Sequence, residues 1–396
     1  MAITTNSPEG GSASASALNN PKVRGVFYQA VTIIVLVSVG AVIFYNTARN
    51  LRDLNRSFGF GFLEGRAGFN LGQALIPYSS DSTNIDALIV GLLNTLLISV
   101  VGIVVATIVG FIIGIGRLSG NWLIAKLSQT YVEIFRNIPP LLVIFFWYSG
   151  VLVLLPQARD AVHLPFSSFL SNRGLAFPKP IFGEGMWVVG IALLVAIAAV
   201  FLVARWAHKR QAATGQQFHT IWVSIAILVG LPLLVFLATG MPLSFDYPIA
   251  GKFNLTGGAV VGPEFIALLL ALSLYTATYI AEIVRAGIRG VAKGQSEAAG
   301  ALGLRASAIN RLIVIPQAMR IIIPPLTSQY LNLIKNSSLA IAIGYADLVA
   351  VGGVILNQSG RAVEVVIIWM VIYLALSIIT SLFMNWFNAK MALVER

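Results

Sequence analysis

Long apolar runs separated by shorter polar connections dominate the chain and predict membrane-spanning helices. A helix needs about 20 apolar residues to cross the hydrocarbon core of a bilayer. The run 87–115 exceeds that length and predicts a tilted or protruding helix, whereas the run 326–344 is interrupted by Lys335, Asn336 and two serines. The predicted spans are 27–45, 87–115, 131–155, 187–204, 221–238, 265–284, 326–344 and 363–386, about eight in all.

The connections carry the polar and turn-forming residues. The segments 46–86 and 156–186 are rich in Gly, Pro, Ser and Asn, which predicts irregular loops with short surface helices. The first 21 residues, rich in Ser, Gly, Ala and Asn, predict a disordered tail. Lys22 and Arg24 directly precede the first apolar run, which we predict to be an uncleaved anchor helix.

Composition supports the same fold class. The chain of 396 residues is 57% hydrophobic and 10% charged, whereas soluble domains are about 25% charged. We therefore predict an all-α, polytopic membrane protein. The absence of cysteine excludes disulfides and thiolate chemistry. The three histidines, His163, His208 and His219, have no metal-ligand spacing, so we predict no metal site and no cofactor.

The net charge of +11 is spread over the connections, which favours membrane orientation over nucleic-acid binding. With the N-terminus inside, sixteen of the 26 Lys and Arg residues fall on the cytoplasmic side and nine outside. The loops 205–219 and 285–320 support this orientation, while the four arginines of the segment 46–86 oppose it. Because the number of spans is even, we predict that both termini lie in the cytoplasm.

The segment 293–316, KGQSEAAGALGLRASAINRLIVIP, interrupts two apolar runs with small and polar residues. Ser296 is a predicted N-cap that places Glu297 in the first turn of a short helix, and Gly303 is predicted to end that helix in a left-handed conformation. A second amphipathic helix should then stop at Pro316. Small side chains permit close approach of a partner's groove, although an ordinary interfacial helix pair would show the same pattern.

The segment also carries a family resemblance. Its EAAGALG and IVIP stretches resemble the EAA loop of ABC-importer permeases, which has E-A-A, three residues, G, nine residues and then I-x-L-P. Ile315 stands in place of the usual leucine and keeps the apolar character. The matching positions are Glu297, Ala298, Ala299, Gly303, Ile313 and Pro316.

Further blocks extend the resemblance in the same order along the chain. YVEIFRNIPPLLVIFF, YIAEIVRAGI, PQAMRIIIPPL and LIKNSSLA are similar to the polar-amino-acid branch of that family. The resemblance implies a five-helix permease core within 87–155 and 265–387. It also implies these divisions: a cytoplasmic tail 1–21, an anchor helix and periplasmic segment 22–86, a permease domain 87–390 with an inserted helical pair 187–240, and a tail 391–396.

The resemblance implies a transport function in a bacterial inner membrane. This chain would form the path for polar L-amino acids by alternating access, coupled through the segment 293–316 to a cytoplasmic ATPase dimer. A second permease and a periplasmic amino-acid-binding protein would complete the assembly. No G-x-x-x-x-G-K-S/T phosphate loop is present, so the chain itself is not expected to be an enzyme.

Polar residues inside a predicted span are the remaining candidates. Lys335 lies about nine residues from either end of the run 326–344, and a charge there costs about 3 kcal/mol or more. It could line the translocation path together with Asn336, Ser337 and Ser338, or it could form a structural ion pair with Glu282.

Two short-range pairs are predicted at the cytoplasmic boundary, because Glu282–Arg285 and Glu133–Arg136 are each three residues apart on a helix. Their expected role is structural. The proline pairs 139–140 and 324–325 predict helix kinks.

Two other function classes remain open from the residues alone. An ion-gradient-driven secondary transporter would need buried coupling carboxylates, yet Glu282 and Glu364 lie near the ends of their predicted spans. A membrane scaffold that recruits a partner through the segment 293–316 would need none. Uptake that requires both ATP and a binding protein would separate the importer from these two.

Overall fold

The computed structural model describes residues 21–53, 58–251 and 255–391. Within these ranges the chain is mainly helical. The predicted tails lie outside them, except that Pro21 begins the first helix and Met391 ends the last. The helices are α1 Pro21–Asp53, α2 Asn84–Gly116, α3 Trp122–Asn137, α4 Pro140–Phe145, α5 Met186–Thr214, α6 Thr220–Ala238, α7 Pro263–Arg289, α8 Lys293–Ala301, α9 Ala306–Ile309, α10 Ile315–Asn336, α11 Leu348–Ser359 and α12 Ala362–Met391.

The predicted polytopic helical fold is confirmed. In the described part of the chain, seven helices are long and apolar enough to cross a membrane, or eight if the bent pair α3–α4 is one span. The helix α2, with 33 residues, is longer than a span requires, as its sequence predicted. The short apolar α11 was not predicted as a separate helix, and its 12 residues are too few to cross a bilayer.

The prediction of one continuous span over 131–155 is wrong. α3 ends at Asn137, and the direction of the chain changes by 109° before α4 continues, partly as a π-helical stretch Phe146–Leu152. Ile138 is extended, with φ −104° and ψ 130°, because a residue that precedes proline avoids the helical region. The prolines at 139 and 140 therefore break the helix rather than kink it.

The predicted span 326–344 is also misplaced, because its helix begins much earlier. Residues 306–343 form one helical rod of 38 residues, in which a π-helical turn Asn310–Val314 joins α9 to α10 and 3₁₀ turns Ser337–Ile343 extend it. Pro316 does not stop this rod. It is the second residue of α10, directly after the widened turn, and such turns accommodate a missing hydrogen bond. Pro324 and Pro325 lie inside α10 on its exposed side.

The connections around the inserted pair contain strands where irregular loops were predicted for 156–186. Four antiparallel strands pair in the order β1-β2-β3-β8, and two further pairs join β4 with β5 and β6 with β7. Burial alternates along β2 and β3, as period-two side-chain placement requires. The strands are β1 Val162–Leu164, β2 Ser168–Ser171, β3 Gly174–Phe177, β4 Lys179–Phe182, β5 Leu243–Asp246, β6 Ile249–Ala250, β7 Leu255–Thr256 and β8 Ala259–Val261.

The inserted helices α5 and α6 form a hairpin that is closed where the chain enters α5 and leaves α6. The amide of Gly183 donates to the carbonyl of Pro242 at 3.0 Å, and a Cβ at Gly185 would lie 3.5 Å from Cβ of Thr239. The chain therefore leaves and returns at nearly one point. The two helices pack against each other, and the alanines Ala192, Ala196 and Ala207 are buried in α5.

The core is centred on the packing of α2 against α7. Glycines in α2 allow close approach, since a Cβ at Gly110 would lie 2.6 Å from Cβ of Ile280 and one at Gly114 would lie 2.8 Å from the carbonyl oxygen of Ala281. α3, α4 and α10 also pack on α7. The hydroxyl of Tyr131 in α3 donates to the carbonyl of Leu274, near the midpoint of α7, at 2.7 Å. α7 is thus the central element that positions the polar groups described below.

Candidate functional site

The segment 293–316 forms a capped helix followed by the start of the long rod. α8 begins at Lys293, so the prediction of Ser296 as N-cap is wrong, and Glu297 lies in the middle of the helix. Gly303 adopts φ +78°, which confirms its predicted left-handed ending. The amide of Leu304 donates to the carbonyl of Ala299 at 3.2 Å, and that of Gly303 donates to Gly300 at 2.9 Å. These two bonds make a Schellman cap that ends α8 sharply.

Three of the six residues that match the EAA pattern lie on an uncovered surface. Glu297, Ala298 and Gly303 are exposed, whereas Ala299 is buried because α8 packs against the π-helical turn. Ile313 and Pro316 are half-buried at the foot of the rod. Large apolar side chains are exposed in the same segment: Leu302 at 83%, together with Leu304, Leu312 and Ile315. Small and apolar groups thus form a surface of the kind that a partner would cover.

An ion cluster links the C-terminal end of α2 to the C-terminal part of α7. Glu282 pairs with Arg285, as predicted, and also with Arg117 at the end of α2. Arg117 was not predicted here because it lies 165 residues away along the chain. Since both cations belong to the same carboxylate, the alternative in which Glu282 pairs with Lys335 is wrong. The carboxylate thus offsets part of the positive charge of the two partly buried arginines.

The second predicted pair, Glu133–Arg136, does not form. Glu133 instead accepts a hydrogen bond from the side-chain amide of Gln129 at 2.6 Å. The guanidinium of Arg136 lies over the ring of Tyr279, 5.9 Å from its centroid. No ion pair involves either residue in the described part of the chain. Both side chains are exposed on the single chain.

Lys335 lies at the end of α10, level with the middle of the core. Its neighbour Leu333 packs on Gly102, close to the midpoint of α2. Lys335 is exposed, and it forms no ion pair within the described ranges. Ser337 is buried and donates to the carbonyl of Ile334 at 2.7 Å, while Ser338 donates to that of Lys335 at 2.8 Å. Those hydroxyls are therefore used by the helix, whereas Lys335 and the half-buried Asn336 face outward.

A buried polar cluster between α2 and α11 was missed by sequence reasoning. The side-chain amide of Asn94 donates to the carbonyls of Gln73 at 3.0 Å and Ala346 at 2.9 Å. Thr95 accepts from the amide of Leu348 at 3.0 Å, and Asp347 caps α11 by accepting from the amide of Ala350 at 2.8 Å. The adjacent Asn94 and Thr95 in an otherwise apolar helix were the signal from which this cluster could have been predicted. The cluster secures the chain that follows the rod against α2.

Among the described residues Glu364 is a second buried carboxylate, and it lies in the first turn of α12, near a helix end as predicted. It accepts from the amide of Gly59 at 3.1 Å and pairs with Arg361 at 3.4 Å. Asp347 and Glu364 therefore both lie at helix starts and accept hydrogen bonds from backbone amides. This use is structural and differs from that of a coupling carboxylate in a gradient-driven transporter.

Comparison with known proteins gives a consistent set of relatives. Residues 202–393 match the family described as binding-protein-dependent transport system inner membrane component. The chain is 71% identical to the general L-amino acid transport system permease protein AapQ of Rhizobium johnstonii, over 96% of this chain and 95% of that protein. It is 48% identical to the putative amino-acid ABC transporter permease protein YhdX of Escherichia coli, over 95% and 96% of the two chains.

A more distant relative agrees with these over the full length. The glutamate/glutamine/aspartate/asparagine transport system permease protein BztB of Rhodobacter capsulatus is 41% identical, over 100% of both chains. The similarity to all three proteins includes the anchor helix and the inserted hairpin, which lie outside the blocks that carry the sequence resemblance.

Proposed function

The chain belongs to the inner membrane components of binding-protein-dependent transport systems, and from that premise we propose that it is a permease subunit of an ATP-driven importer for polar L-amino acids. The relatives named for general L-amino acids and for glutamate, glutamine, aspartate and asparagine support this cargo. Membership of this family favours the importer over a gradient-driven transporter. The multi-pass helical structure is that of a membrane component.

The observation that carries the proposal is the uncovered surface of the segment 293–316. Its exposed leucines and small residues, held on the sharply capped α8, suit a groove in a separate ATPase subunit. We propose Glu297, Ala298, Ala299, Gly303, Ile313 and Pro316 as the coupling residues. Closure of the ATPase dimer would move this surface, and the rod that continues from it would transmit the motion to the membrane helices.

The proposed orientation places this segment, both termini and the loop 205–219 in the cytoplasm. The basic residues of these loops support it. The strands around α5 and α6 then lie on the periplasmic side, where a binding protein would deliver the amino acid. A second permease would complete the path. The exposed Lys335 and the half-buried Asn336 are proposed to line it, while the hydroxyls of Ser337 and Ser338 donate to carbonyls at the end of α10.

The test of coupling uses two substitutions with matched controls. We expect Glu297→Lys and Gly303→Asp to lower binding-protein-dependent uptake at least about tenfold, the effect of losing about 1.4 kcal/mol of docking free energy, while membrane insertion stays intact. Glu184→Lys and Gly68→Asp are the controls, since Glu184 is exposed on the opposite side and Gly68, with φ +73°, has open space around it within the described residues.

Uptake in reconstituted vesicles and co-purification of the ATPase are the measurements. Unaltered uptake and unaltered ATPase association in both coupling variants would contradict the assignment of this surface. Uptake by the unsubstituted complex without ATP or binding protein would instead contradict the importer itself.

A further inference from the structure

The break between α3 and α4 borders a polar cavity that the coupling and path residues do not use. Its volume is about 460 Å³, within the range of small-molecule sites. The side chains that give it its chemistry are Arg117, Glu133, Arg136, Asn137, Tyr279 and Glu282. Two anions, two cations and a phenol thus face one space beside a discontinuous span.

The depth of this cavity places it on the inner half of the membrane domain. Tyr131, just before the cavity residues of α3, bonds to the middle of α7 at Leu274. The ion cluster of Glu282 with Arg117 marks the inner ends of α7 and α2. Charged side chains at such depths are costly unless they pair or contact water or substrate. Each charged side chain of the cavity therefore needs a partner, which is another charge, water or substrate.

Two of the four charges account for one another and two do not. Arg117 and Glu282 are paired, together with Arg285. Glu133 and Arg136 have no ionic partner among the described residues, although they lie one helical turn apart on α3. Tyr279 holds the Arg136 guanidinium through its ring, which leaves the planar donor edge free. Gln129 occupies only one carboxylate oxygen of Glu133.

We infer that this cavity is an inner binding subsite for the amino-acid zwitterion, in which Arg136 binds the α-carboxylate and Glu133 binds the α-ammonium group. The inference rests on the proposed import function. Side chains one turn apart have Cβ atoms about 5–6 Å from each other, close enough for both to reach the adjacent charges of one zwitterion. A guanidinium also binds a carboxylate through two parallel hydrogen bonds.

This subsite recognises only what all α-amino acids share. The amino acid's own side chain would extend past Tyr279, whose hydroxyl lies 2.9 Å from that of Tyr275. Two phenols accept both polar and apolar neighbours, so the subsite imposes little selection among side chains. A permease for amino acids of different charge requires that property.

The test is binding of tritiated L-glutamine to the complete permease–ATPase complex in nanodiscs, without the binding protein, whose selectivity would mask the result. We expect Arg136→Gln and Glu133→Gln each to weaken glutamine binding at least about tenfold. Arg136→Lys keeps the charge and should recover part of the loss. Lys126→Gln, an exposed cation on α3 outside the cavity, is the matched control and should bind as the unsubstituted complex does.

Competition separates the two ends of the zwitterion. Glutamine α-amide lacks the carboxylate and glutaramate lacks the ammonium group, so both should compete at least about tenfold less well than glutamine. Equal competition by either analogue, or glutamine binding within about twofold of normal in both neutral variants, would overturn the inference. If Arg136→Gln does not assemble, Glu133→Gln and the competition series decide the question.

If ATP-driven uptake by the unsubstituted complex is normal while these variants bind glutamine normally, only the subsite is refuted. Absence of ATP-driven uptake would refute the proposed function instead.

Discussion

Single charges near the ion cluster of α2 and α7 differ in what satisfies them. Glu282 lies between two arginines, and so its nearest helix neighbour Arg285 needs no other partner. Glu133 has the same spacing to Arg136, yet the Arg136 guanidinium lies over the ring of Tyr279 on α7 instead. Spacing on a helix therefore predicted which side chains share a face, whereas the ring and the distant Arg117 decided which pairs form. Those contacts join different helices and leave no local pattern.

Lys335 gives a prediction at the same scale. Because it is uncovered at mid-depth and forms no ion pair in the residues described, we expect Lys335→Met to change the ranking of transported amino acids without loss of the assembled complex. The measurement is competitive uptake of glutamate, glutamine and a cationic amino acid in vesicles. We expect the share of anionic substrate to fall, since the lysine's positive charge would no longer attract it.

Lys179→Met serves as the control, because Lys179 is exposed in β4 outside the membrane helices. An unchanged ranking together with poor recovery of the complex would assign Lys335 a structural role. Such a result would remove it from the path.

At the scale of the element, three proline sites show what the sequence could and could not predict. Proline lacks an amide hydrogen, so each site was expected to kink or stop a helix. Only Pro139–Pro140 breaks one, where Ile138 becomes extended. Pro316 follows a π-helical turn, and Pro324–Pro325 lie on the exposed side of α10. Local propensity identified the weak points, but the packing of α10 against α7 and α12 decided whether the helix continued.

The cap of α8 gives the element-scale prediction. Gly303 has φ +78°, so an alanine there costs about 1–2 kcal/mol, whereas Gly300 lies within the helix and a Cβ there meets open space among the described atoms. We expect Gly303→Ala to speed hydrogen exchange at the Leu304 amide, which donates to Ala299. Gly300→Ala should slow exchange or leave it unchanged, because alanine favours a helix by about 1 kcal/mol over glycine.

Hydrogen exchange followed by mass spectrometry on the peptide containing 297–308 is the measurement. Equal exchange rates in the two variants would show that the left-handed residue does not stabilise the end of α8.

At the scale of the whole molecule, hydropathy predicted six of the eight spans well because each of these is a long apolar run, but it misjudged 131–155 and 326–344. It missed the strands around α5 and α6, each at most four residues long. Strands this short show little alternation. β3 also pairs with β8, which lies beyond the whole α5–α6 hairpin. A pairing between residues so far apart depends on the closure of that hairpin, which no local pattern encodes.

The closed base of the hairpin leads to a whole-molecule prediction. Because Gly185 and Thr239 lie together, we expect deletion of 186–238, replaced by a short glycine linker, to leave a folded core. The thermal midpoint in detergent should stay within a few degrees of the full chain, since the two helices pack mainly on each other. The matched control removes α6 alone. Removal of a single span would then invert every later segment, and the chain should not fold.

Loss of the folded core in the paired deletion, measured by size-exclusion chromatography and thermal unfolding, would show that α5–α6 supports the core directly. Retention of the core with loss of the second permease would assign the hairpin to assembly.

The rod 306–343 has a mechanical consequence. It begins at the uncovered surface of the segment 293–316 and carries Lys335 near its far end, and the distance from Ile309 to Lys335 is about 40 Å along the helix axis. A continuous helix of this length acts as a lever, so a displacement of its first residues is transmitted to Lys335. In the proposed importer, the stiffness of this helix would set how much of each ATPase cycle becomes displacement of the proposed path lining. A more flexible helix between the two ends would absorb that displacement by bending, even if both ends were unchanged.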